Sequence, residues 1–544
     1  MAKGHSSEGQ PSATARILDN AAAPPATKAQ HRWLVFLLSF VLLAVPMLIW
    51  ALASPLASVP DEPSHAIRAA AVVRGEIIGA PWAANPTIAG VEVPRYVAHM
   101  HELTCFAFHP EKTAGCARPV NGDPDRIVTA GTSAGLNSPL YYAIVGLPTL
   151  VLDGTAALYS MRGVNVVLCA GALAIMFMEL IQLPRSRWVL PAAFVAVTPM
   201  VLFLAGSINP NGIEVAATGA LLATLAGTFR ATSTRWVSWQ RTLVVIVAVA
   251  LLANARSIGL LWILVILAAA LALANREVAR SVVRTPAGWV AIAGAALGSI
   301  AAVLAYANVP QYAENRFSGA GSSPLTAFVV TLEETFHFAA GYVGFFGWVD
   351  TPSPAFSIIA WSAVVVALLM AAFVWGSRRG RWVVAVLGLM IIVIPAIVQA
   401  VVTPQIGYIW QGRYMLALFL TLLVTAGLAL DDTATHQQIQ RPLRLILLTG
   451  LLLVALGHTI SLLSTLRRYI VGVDGSIHDM LVTPHWQPPL GWITLVAVMV
   501  LWVSISAWLV YRRTISGGSE APQLISHRLV DDTSRTHEGR KWLE

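Results

Sequence analysis

Charged residues are scarce in this sequence: they make up 11% of its 544 residues, against 56% hydrophobic residues, and the mean hydropathy is +0.69. Soluble domains typically carry about 25% charged residues. The shortage excludes a soluble globular protein and indicates a polytopic membrane protein, since a bilayer requires long apolar segments. The formal net charge of +8 does not indicate nucleic acid as a partner, because the arginines cluster in short loops between apolar runs.

Cysteine and motif residues for cofactors are also few. The chain has three cysteines, no Cys-x-x-Cys or His-x-x-x-His spacing and no Walker-type phosphate loop, so no cofactor is evident and cytoplasmic ATP is not implied. Cys105 and Cys116 share one polar segment, where either a disulfide or two free thiols fit the spacing. A disulfide would indicate an oxidising, extracytoplasmic face. Cys169 lies inside an apolar run and is interpreted as packing.

Apolar runs of about 20 residues recur along the chain, the length that an α-helix needs to cross the hydrocarbon of a bilayer. They predict an all-α, polytopic transmembrane domain over residues 33–511. The fifth and sixth runs are short, so they form either two spans or one tilted or broken pair. The twelve predicted spans lie near 33–53, 160–181, 188–206, 213–229, 241–255, 258–274, 286–306, 356–376, 382–402, 413–430, 443–463 and 490–511.

Arginine clusters set the predicted orientation of these spans. Residues 1–32 and 512–544 are predicted to be cytoplasmic tails, the first of them disordered. The arginines of the even-numbered connections and the C-terminal tail then share one face, which the positive-inside rule makes cytoplasmic. The sequence therefore predicts a multi-pass protein of the cell (plasma) membrane with both termini inside. These arginines are Arg185, Arg187, Arg230, Arg235, Arg241, Arg276, Arg280, Arg284, Arg378, Arg379, Arg381, Arg441, Arg444, Arg512 and Arg513.

The odd-numbered connections hold most of the acids, amides, histidines and aromatic residues. The first, 54–159, begins with Pro60-Asp61-Glu62-Pro63-Ser64-His65 directly after the first span. Such carboxylates at a membrane boundary must be hydrated, paired or used in function. The apolar but proline-interrupted segment 143–152 is predicted to be a helix lying along the membrane surface. With only a short polar tail after residue 511, recognition of a partner molecule is expected to fall to 54–159 and 307–355.

Five motifs carry a resemblance. They are Pro60-Asp61-Glu62-Pro63-Ser64-His65, Asn137-Ser138-Pro139-Leu140-Tyr141-Tyr142, Ser207-Ile208-Asn209-Pro210-Asn211-Gly212, Gly347-Trp348-Val349-Asp350 and Gln411-Gly412-Arg413-Tyr414. In this order, over about 33–510, the chain resembles a bacterial family of predicted integral membrane proteins with a domain of unknown function. That family in turn resembles the GT-C glycosyltransferases.

The resemblance implies an activity and an active site. GT-C enzymes move a sugar, with inversion, from a polyprenyl phosphate to an acceptor outside the cytoplasm, here a glycan, glycolipid or protein of the cell envelope. It implies a GT-C-like fold with surface-lying helices in the first extracytoplasmic loop. It also implies Asp61 as the general base, with Glu62 as its partner or as a substrate ligand. The metal requirement stays open, because some GT-C enzymes need a divalent cation and others do not.

Further residues are candidates for substrate binding, each with an alternative. Arg256 and Arg413 would hold the leaving phosphate, since guanidinium binds phosphate bidentately. The alternative for Arg413 is a snorkelling residue at the start of a helix. The other candidates could instead be loop-solvated, form a turn, or cap a helix. They are His65, Arg68, Asn209, Asn211, Glu214, Asp350 and Gln411. Glu333, Glu334 and His337 are interpreted as the solvated face of an amphipathic helix.

Two other classes of function compete with the enzyme. A transporter or flippase of lipid-linked saccharides would place charge inside the spans and open a cytoplasmic entrance. A non-catalytic scaffold for assembly of envelope polysaccharides would make Asp61 and Glu62 dispensable.

The orientation is testable by labelling. A membrane-impermeant thiol reagent should modify Lys112→Cys in the first connection but not Arg379→Cys in an arginine-rich connection, because the two face opposite sides. Permeabilised cells, in which both variants react, provide the control. Labelling of Arg379→Cys alone in intact cells would invert the orientation and contradict the enzyme assignment.

Overall fold

The computed structural model describes residues 28–516 except 121–122, 124–125, 231–238, 310–311, 314–315 and 435–438. Most of the two predicted tails lies outside the described residues, as does Arg235. The described ends of both tails are helical, because the first helix already begins at Lys28 and the last one continues to Ser516.

The described residues form α-helices, shorter 3₁₀ turns and five strands. The helices are α1 (Lys28–Ala53), α2 (Glu62–Val72), α3 (Arg95–Ala98), α4 (Pro139–Val145), α5 (Gly154–Ile181), α6 (Val189–Ala196), α7 (Pro199–Ala205), α8 (Pro210–Phe229), α9 (Trp239–Ala255), α10 (Gly259–Ala272), α11 (Arg276–Val282), α12 (Pro286–Ala307), α13 (Pro324–Glu333), α14 (Thr335–Val343), α15 (Ala355–Trp375), α16 (Arg378–Ile406), α17 (Leu416–Asp431), α18 (Arg441–Val471), α19 (Ile477–Val482) and α20 (Trp492–Ser516). The strands are β1 (Ala80–Trp82), β2 (Asn85–Pro94), β3 (Ile127–Thr132), β4 (Phe345–Phe346) and β5 (Thr351–Pro352). The 3₁₀ turns are His99–Leu103, Ala114–Cys116, Ser133–Leu136, Leu147–Leu150 and Gly412–Met415.

Nine of the described helices are long and apolar enough to cross a membrane, which confirms an all-α polytopic membrane protein. They are α1, α5, α8, α12, α15, α16, α17 with its preceding 3₁₀ turn, α18 and α20. Helix α8 is buried along its whole length and α17 almost so, while the lipid-facing α12 is exposed along most of its length. The core of the protein is therefore built around α8 and α17.

Three of the twelve predicted spans differ from single long helices. The run 188–206 is broken into α6 and α7, where Thr198 caps the second helix and Pro199 occupies its first turn. Proline lacks the amide hydrogen that would continue the first helix, so the break follows from its position. Helices α9 and α10 have 17 and 14 residues. At 1.5 Å per residue they measure about 26 and about 21 Å, so twelve complete crossings stay a prediction.

The connection between α1 and α5 carries a small sheet that the sequence analysis did not predict. Strands β1, β2 and β3 form an antiparallel sheet in that order, with Val91 opposite Ala130. The alternation of buried Val91 and Val93 with exposed Glu92 is the period-two signal of a half-buried strand. The predicted surface helix at 143–152 is α4 followed by a 3₁₀ turn, and its side chains Leu147, Leu150 and Val151 are exposed.

A disulfide joins Cys105 and Cys116, whose Cα atoms are 6.2 Å apart. Arg468 near the end of α18 holds the same loop through the carbonyl oxygens of Phe106 at 2.7 Å and Lys112 at 2.9 Å. The loop is therefore fixed to the transmembrane bundle as well as closed on itself. Cys169 is buried in α5, as the packing interpretation requires.

Near the C-terminal end of α5, Glu179 connects this helix with α1 and α9. Its carboxylate accepts hydrogen bonds from Arg32 of α1 at 2.8 Å and from Arg241 of α9 at 2.6 Å. Both Glu179 and Arg241 are buried, so each charge depends on the other for compensation.

Substituting Glu179→Gln should lower the free energy of unfolding by about 3 kcal/mol, because it removes the buried negative charge that both Arg241 and Arg32 bind. The measurement is the midpoint of thermal unfolding in detergent. Glu333→Gln makes the same change at an exposed position and should leave the midpoint unchanged. Equal midpoints for both variants would contradict a stabilising role for the pair.

Candidate functional site

Asp61 is the residue immediately before α2 and has a left-handed backbone with φ 64° and ψ 3°. Aspartate tolerates this conformation better than most residues. Its carboxylate forms no cap bond to the helix that follows. Instead it accepts a hydrogen bond of 2.9 Å from Nη2 of Arg413, and the side chain is 47% exposed. The Asp61 carboxylate is therefore paired with Arg413 on one side and accessible to small molecules on the other.

Arg413 lies in the 3₁₀ turn that precedes α17, with its side chain only 3% exposed. The turn packs tightly against α14, since a Cβ on Gly412 would lie 2.1 Å from the carbonyl oxygen of Phe338. Glycine is therefore required there. The Nε and Nη1 atoms of Arg413 are buried and have no hydrogen-bond partner among the described residues, so part of its guanidinium remains available to a ligand.

Arg256, in the connection between α9 and α10, continues the cluster. Its Nη1 donates to Oδ1 of Asn211, and its guanidinium lies 4.0 Å from the centre of the Tyr414 ring. Glu214, one turn further along α8 than Asn211, accepts a hydrogen bond of 2.9 Å from the indole of Trp262. These contacts place Asn211 beside Arg256, and the guanidinium groups of Arg256 and Arg413 both lie on the ring of Tyr414.

His65 and Arg68 lie on α2 but are buried rather than solvated. His65 Nδ1 and the hydroxyl of Tyr142 are hydrogen-bonded at 2.9 Å, and the amide of Asn137 donates to the same hydroxyl. Burial is the main cause that lowers the pKa of His65 to about 4; Asp61 opposes it, and the cations Arg413 and Arg256 act in the same direction as burial. His65 is thus neutral near pH 7.

Arg68 is a buried cation without an ion pair among the described residues. Its Nη2 donates to the carbonyl oxygen of Asn137 at 3.3 Å, while Nε and Nη1 have no partner. Burial lowers the pKa of its guanidinium. A buried cation of this kind is costly unless a ligand or ordered water completes it.

The structure corrects the expectation for Glu62. Its carboxylate is fully buried and is bound on both oxygens by Arg162 of α5, with Nε to Oε1 at 2.7 Å and Nη2 to Oε2 at 2.6 Å. The backbone amide of Ile208 also donates to Oε1. Glu62 is therefore enclosed and bonded through both oxygens, so no substrate reaches it in this structure, and its ion pair fixes the beginning of α2.

Asn209 and Asp350 are corrected in the same way. Asn209 caps α8 through its Oδ1 and donates from its amide to the carbonyl oxygen of Pro60 at 3.2 Å, which is the turn-and-cap alternative. Asp350 pairs with Arg468 at 3.1 Å and accepts from the amide of Phe108 at 3.0 Å. Asn209 and Asp350 both use their side chains to connect separate segments of the chain, so neither is placed to contact a substrate.

A cavity of about 260 Å³ opens beside Arg413. Gln411 and His337 both line it, and His337 is exposed like the neighbouring Glu333 and Glu334, as expected. Its other walls are mainly apolar. The lining residues are Met200, His337, Phe338, Gly341, Phe345, Val349, Trp410, Gln411, Gly412 and Arg413. Among the described residues, no group of three or more His, Cys, Asp or Glu side chains is arranged to hold a metal.

Several residues of the site were not predicted from the sequence. Tyr142 and Tyr414 stand inside the quoted motifs but had no assigned role. Arg162 and Trp262 lie within apolar runs. For Arg162 a signal existed, because a single charge inside a predicted span usually has a partner or a function. For Trp262 there was none, since tryptophan is ordinary in such a run.

Comparison with known proteins places this site in context. Residues 43–423 match the model of a family described as predicted membrane protein (DUF2142). No curated protein matches the sequence. Among solved structures, the fold resembles ArnT from Cupriavidus metallidurans bound to undecaprenyl phosphate, with 11% identity, a TM-score of 0.42, and coverage of 90% of this chain and 78% of that chain. A likeness at this level says nothing about activity.

The buried His65 predicts a pH dependence of stability. Its pKa is about 4 when folded and 6.5 in the reference state, so the unfolded chain binds more protons between these values. Stability should therefore fall as the pH drops from about 6.5 towards 4, with about 2 kcal/mol lost by pH 5. Thermal unfolding in detergent at pH 7.5 and pH 5 measures the loss.

His65→Gln is the matching control, because glutamine can still bond to Tyr142 but does not titrate. The pH-dependent loss should be smaller in this variant by that amount. The same loss in both proteins would assign the acid sensitivity to other groups.

Proposed function

The chain belongs to the DUF2142 family of predicted membrane proteins, and on that premise we propose that it is a membrane glycosyltransferase of the GT-C type. It would transfer a sugar from a polyprenyl phosphate to a glycan, glycolipid or protein acceptor of the cell envelope, on the extracytoplasmic side. The supporting observation is the pairing of the half-exposed Asp61 with the buried Arg413 at 2.9 Å, beside Arg256.

Asp61 is the proposed general base. As an acceptor hydroxyl attacks the anomeric carbon, its proton passes to the Asp61 carboxylate and its oxygen forms the new glycosidic bond. The bond from the anomeric carbon to the phosphate oxygen breaks at the same time, and the electron pair leaves with the polyprenyl phosphate. Attack opposite the leaving group inverts the configuration. The exposed side of Asp61 gives an acceptor access to the carboxylate.

The arginines would stabilise the phosphate as its charge grows. Two guanidinium nitrogens of Arg413 and two of Arg68 have no hydrogen-bond partner among the described residues. Arg256 is held by an amide oxygen and an aromatic ring. Asp61 pairs with Arg413, so the three guanidinium groups carry more positive charge than this carboxylate neutralises, and an excess of positive charge is what a phosphate leaving group requires.

Asp61→Asn should lower sugar transfer by a factor of about 100 or more, because the amide cannot accept the proton. The measurement is mass spectrometry of lipid-linked sugars and envelope glycans in cells that express each variant at equal membrane levels. Asp153→Asn changes an exposed aspartate of the same connection, and asparagine caps a helix equally well, so transfer should be unchanged. Wild-type transfer by Asp61→Asn would rule out this mechanism and favour the scaffold.

A further inference from the structure

The cavity beside Arg413 contains buried polar atoms without hydrogen-bond partners. They are Nε1 of Trp410, Oε1 of Gln411, and Nε and Nη1 of Arg413. Trp410 is 9% exposed and Arg413 is 4% exposed, so water outside the protein does not satisfy them. Buried polar groups in native proteins nearly always have partners. Three residues within a four-residue stretch, all lining one cavity and all with polar atoms that find no partner among the described residues, therefore indicate a site for a ligand.

The chemistry of these atoms restricts the ligand. Trp410 and Arg413 offer only donors, while Oε1 of Gln411 is an acceptor. A hydrocarbon chain would satisfy none of them, and a phosphate without protons would leave the Gln411 oxygen unpaired. Hydroxyl groups both donate and accept, so a polyol satisfies the whole set.

The remaining walls fit the other side of such a ligand. Phe338, Phe345, Met200 and Val349 are apolar, and His337 adds a ring that can either donate or accept. Binding sites for small polar molecules commonly combine mainly apolar walls with a few placed polar groups. A sugar ring has the same two characters, with C–H groups on its faces and hydroxyls on its edge. The volume of about 260 Å³ is sufficient for one small ring.

We propose that this cavity binds one monosaccharide ring, with Trp410 and Gln411 bonded to its hydroxyls and with Arg413 and His337 beside it. The inference rests on the proposed function, because Arg413 also contacts Asp61 and so joins the cavity to the reacting centre. Two sources would present the same ring: the sugar carried by the polyprenyl phosphate, or a sugar at the end of the acceptor.

Binding is tested on the purified full-length protein in detergent by saturation-transfer NMR. The probes are the methyl glycosides of glucose, mannose, galactose, arabinose and N-acetylglucosamine. At least one should bind the wild type. Trp410→Phe, which removes only the indole N–H, and Gln411→Leu, which removes the amide, should each weaken that glycoside about tenfold, the loss of one hydrogen bond to a ligand.

Matched controls repeat the same chemical changes elsewhere. Trp375→Phe lies on an exposed face of α15, and Gln405→Leu is an exposed residue of α16 only six positions before Gln411. Neither should change binding. Equal affinities for the cavity variants and the controls, or no binding of any of the five glycosides, would overturn the proposal.

The Asp61→Asn protein separates this inference from the proposed function. It should still bind the glycoside although transfer is lost, because Oδ1 of asparagine can accept the hydrogen bond from Arg413 and the side chains of Trp410 and Gln411 are unchanged. Glycoside binding that depends on Gln411, combined with undiminished transfer by Asp61→Asn, would keep the cavity and reject the mechanism. In transfer assays, a raised KM of Gln411→Leu for the lipid-linked sugar identifies the donor ring, and a raised KM for the acceptor identifies the acceptor ring.

Discussion

The ion pair between Glu62 and Arg162 is the constraint on which the site depends. Arg162 donates to the carbonyl oxygens of Ala51, Ser54 and Pro55 as well as to Glu62, so one buried side chain holds the end of α1, the turn after it and the start of α2. Removing one partner would leave the other as an uncompensated buried charge, which proteins tolerate poorly. The turn that carries Asp61 has therefore little freedom to relax.

This constraint gives two neighbouring acids different roles. Glu62 is turned into the bundle and fully paired, while Asp61, in its left-handed conformation, is turned outwards and half exposed. Asn209 reinforces the arrangement through its bond to the carbonyl of Pro60. Asp61 and Glu62 carry the same carboxylate group. Their different roles follow from the left-handed backbone at Asp61, which turns the two side chains in different directions.

The sequence predicted the helical architecture well, because apolar length is a local property that each span displays by itself. It located the α6–α7 segment but not the break at Pro199, and it missed the short sheet, whose alternating signal covers only a few residues. Contacts between residues that are far apart in the sequence could not be predicted from the sequence. Asp61 and Arg413 are 352 positions apart, and only packing shows that they meet. The burial of individual side chains could not be predicted either, since a short segment such as α2 has the same sequence pattern whether it is exposed to solvent or enclosed by other helices.

The pattern of charge compensation links these observations. Three buried arginines are matched by carboxylates: Arg162 by Glu62, Arg241 by Glu179 and Arg468 by Asp350. Around Asp61 the pattern changes, because Arg68 has no ion pair among the described residues and Arg413 pairs with a carboxylate that is half exposed. Uncompensated positive charge in partly buried surroundings destabilises the folded protein unless something completes it. The fold therefore keeps an excess of positive charge around Asp61, and an anionic ligand bound there would stabilise the folded protein.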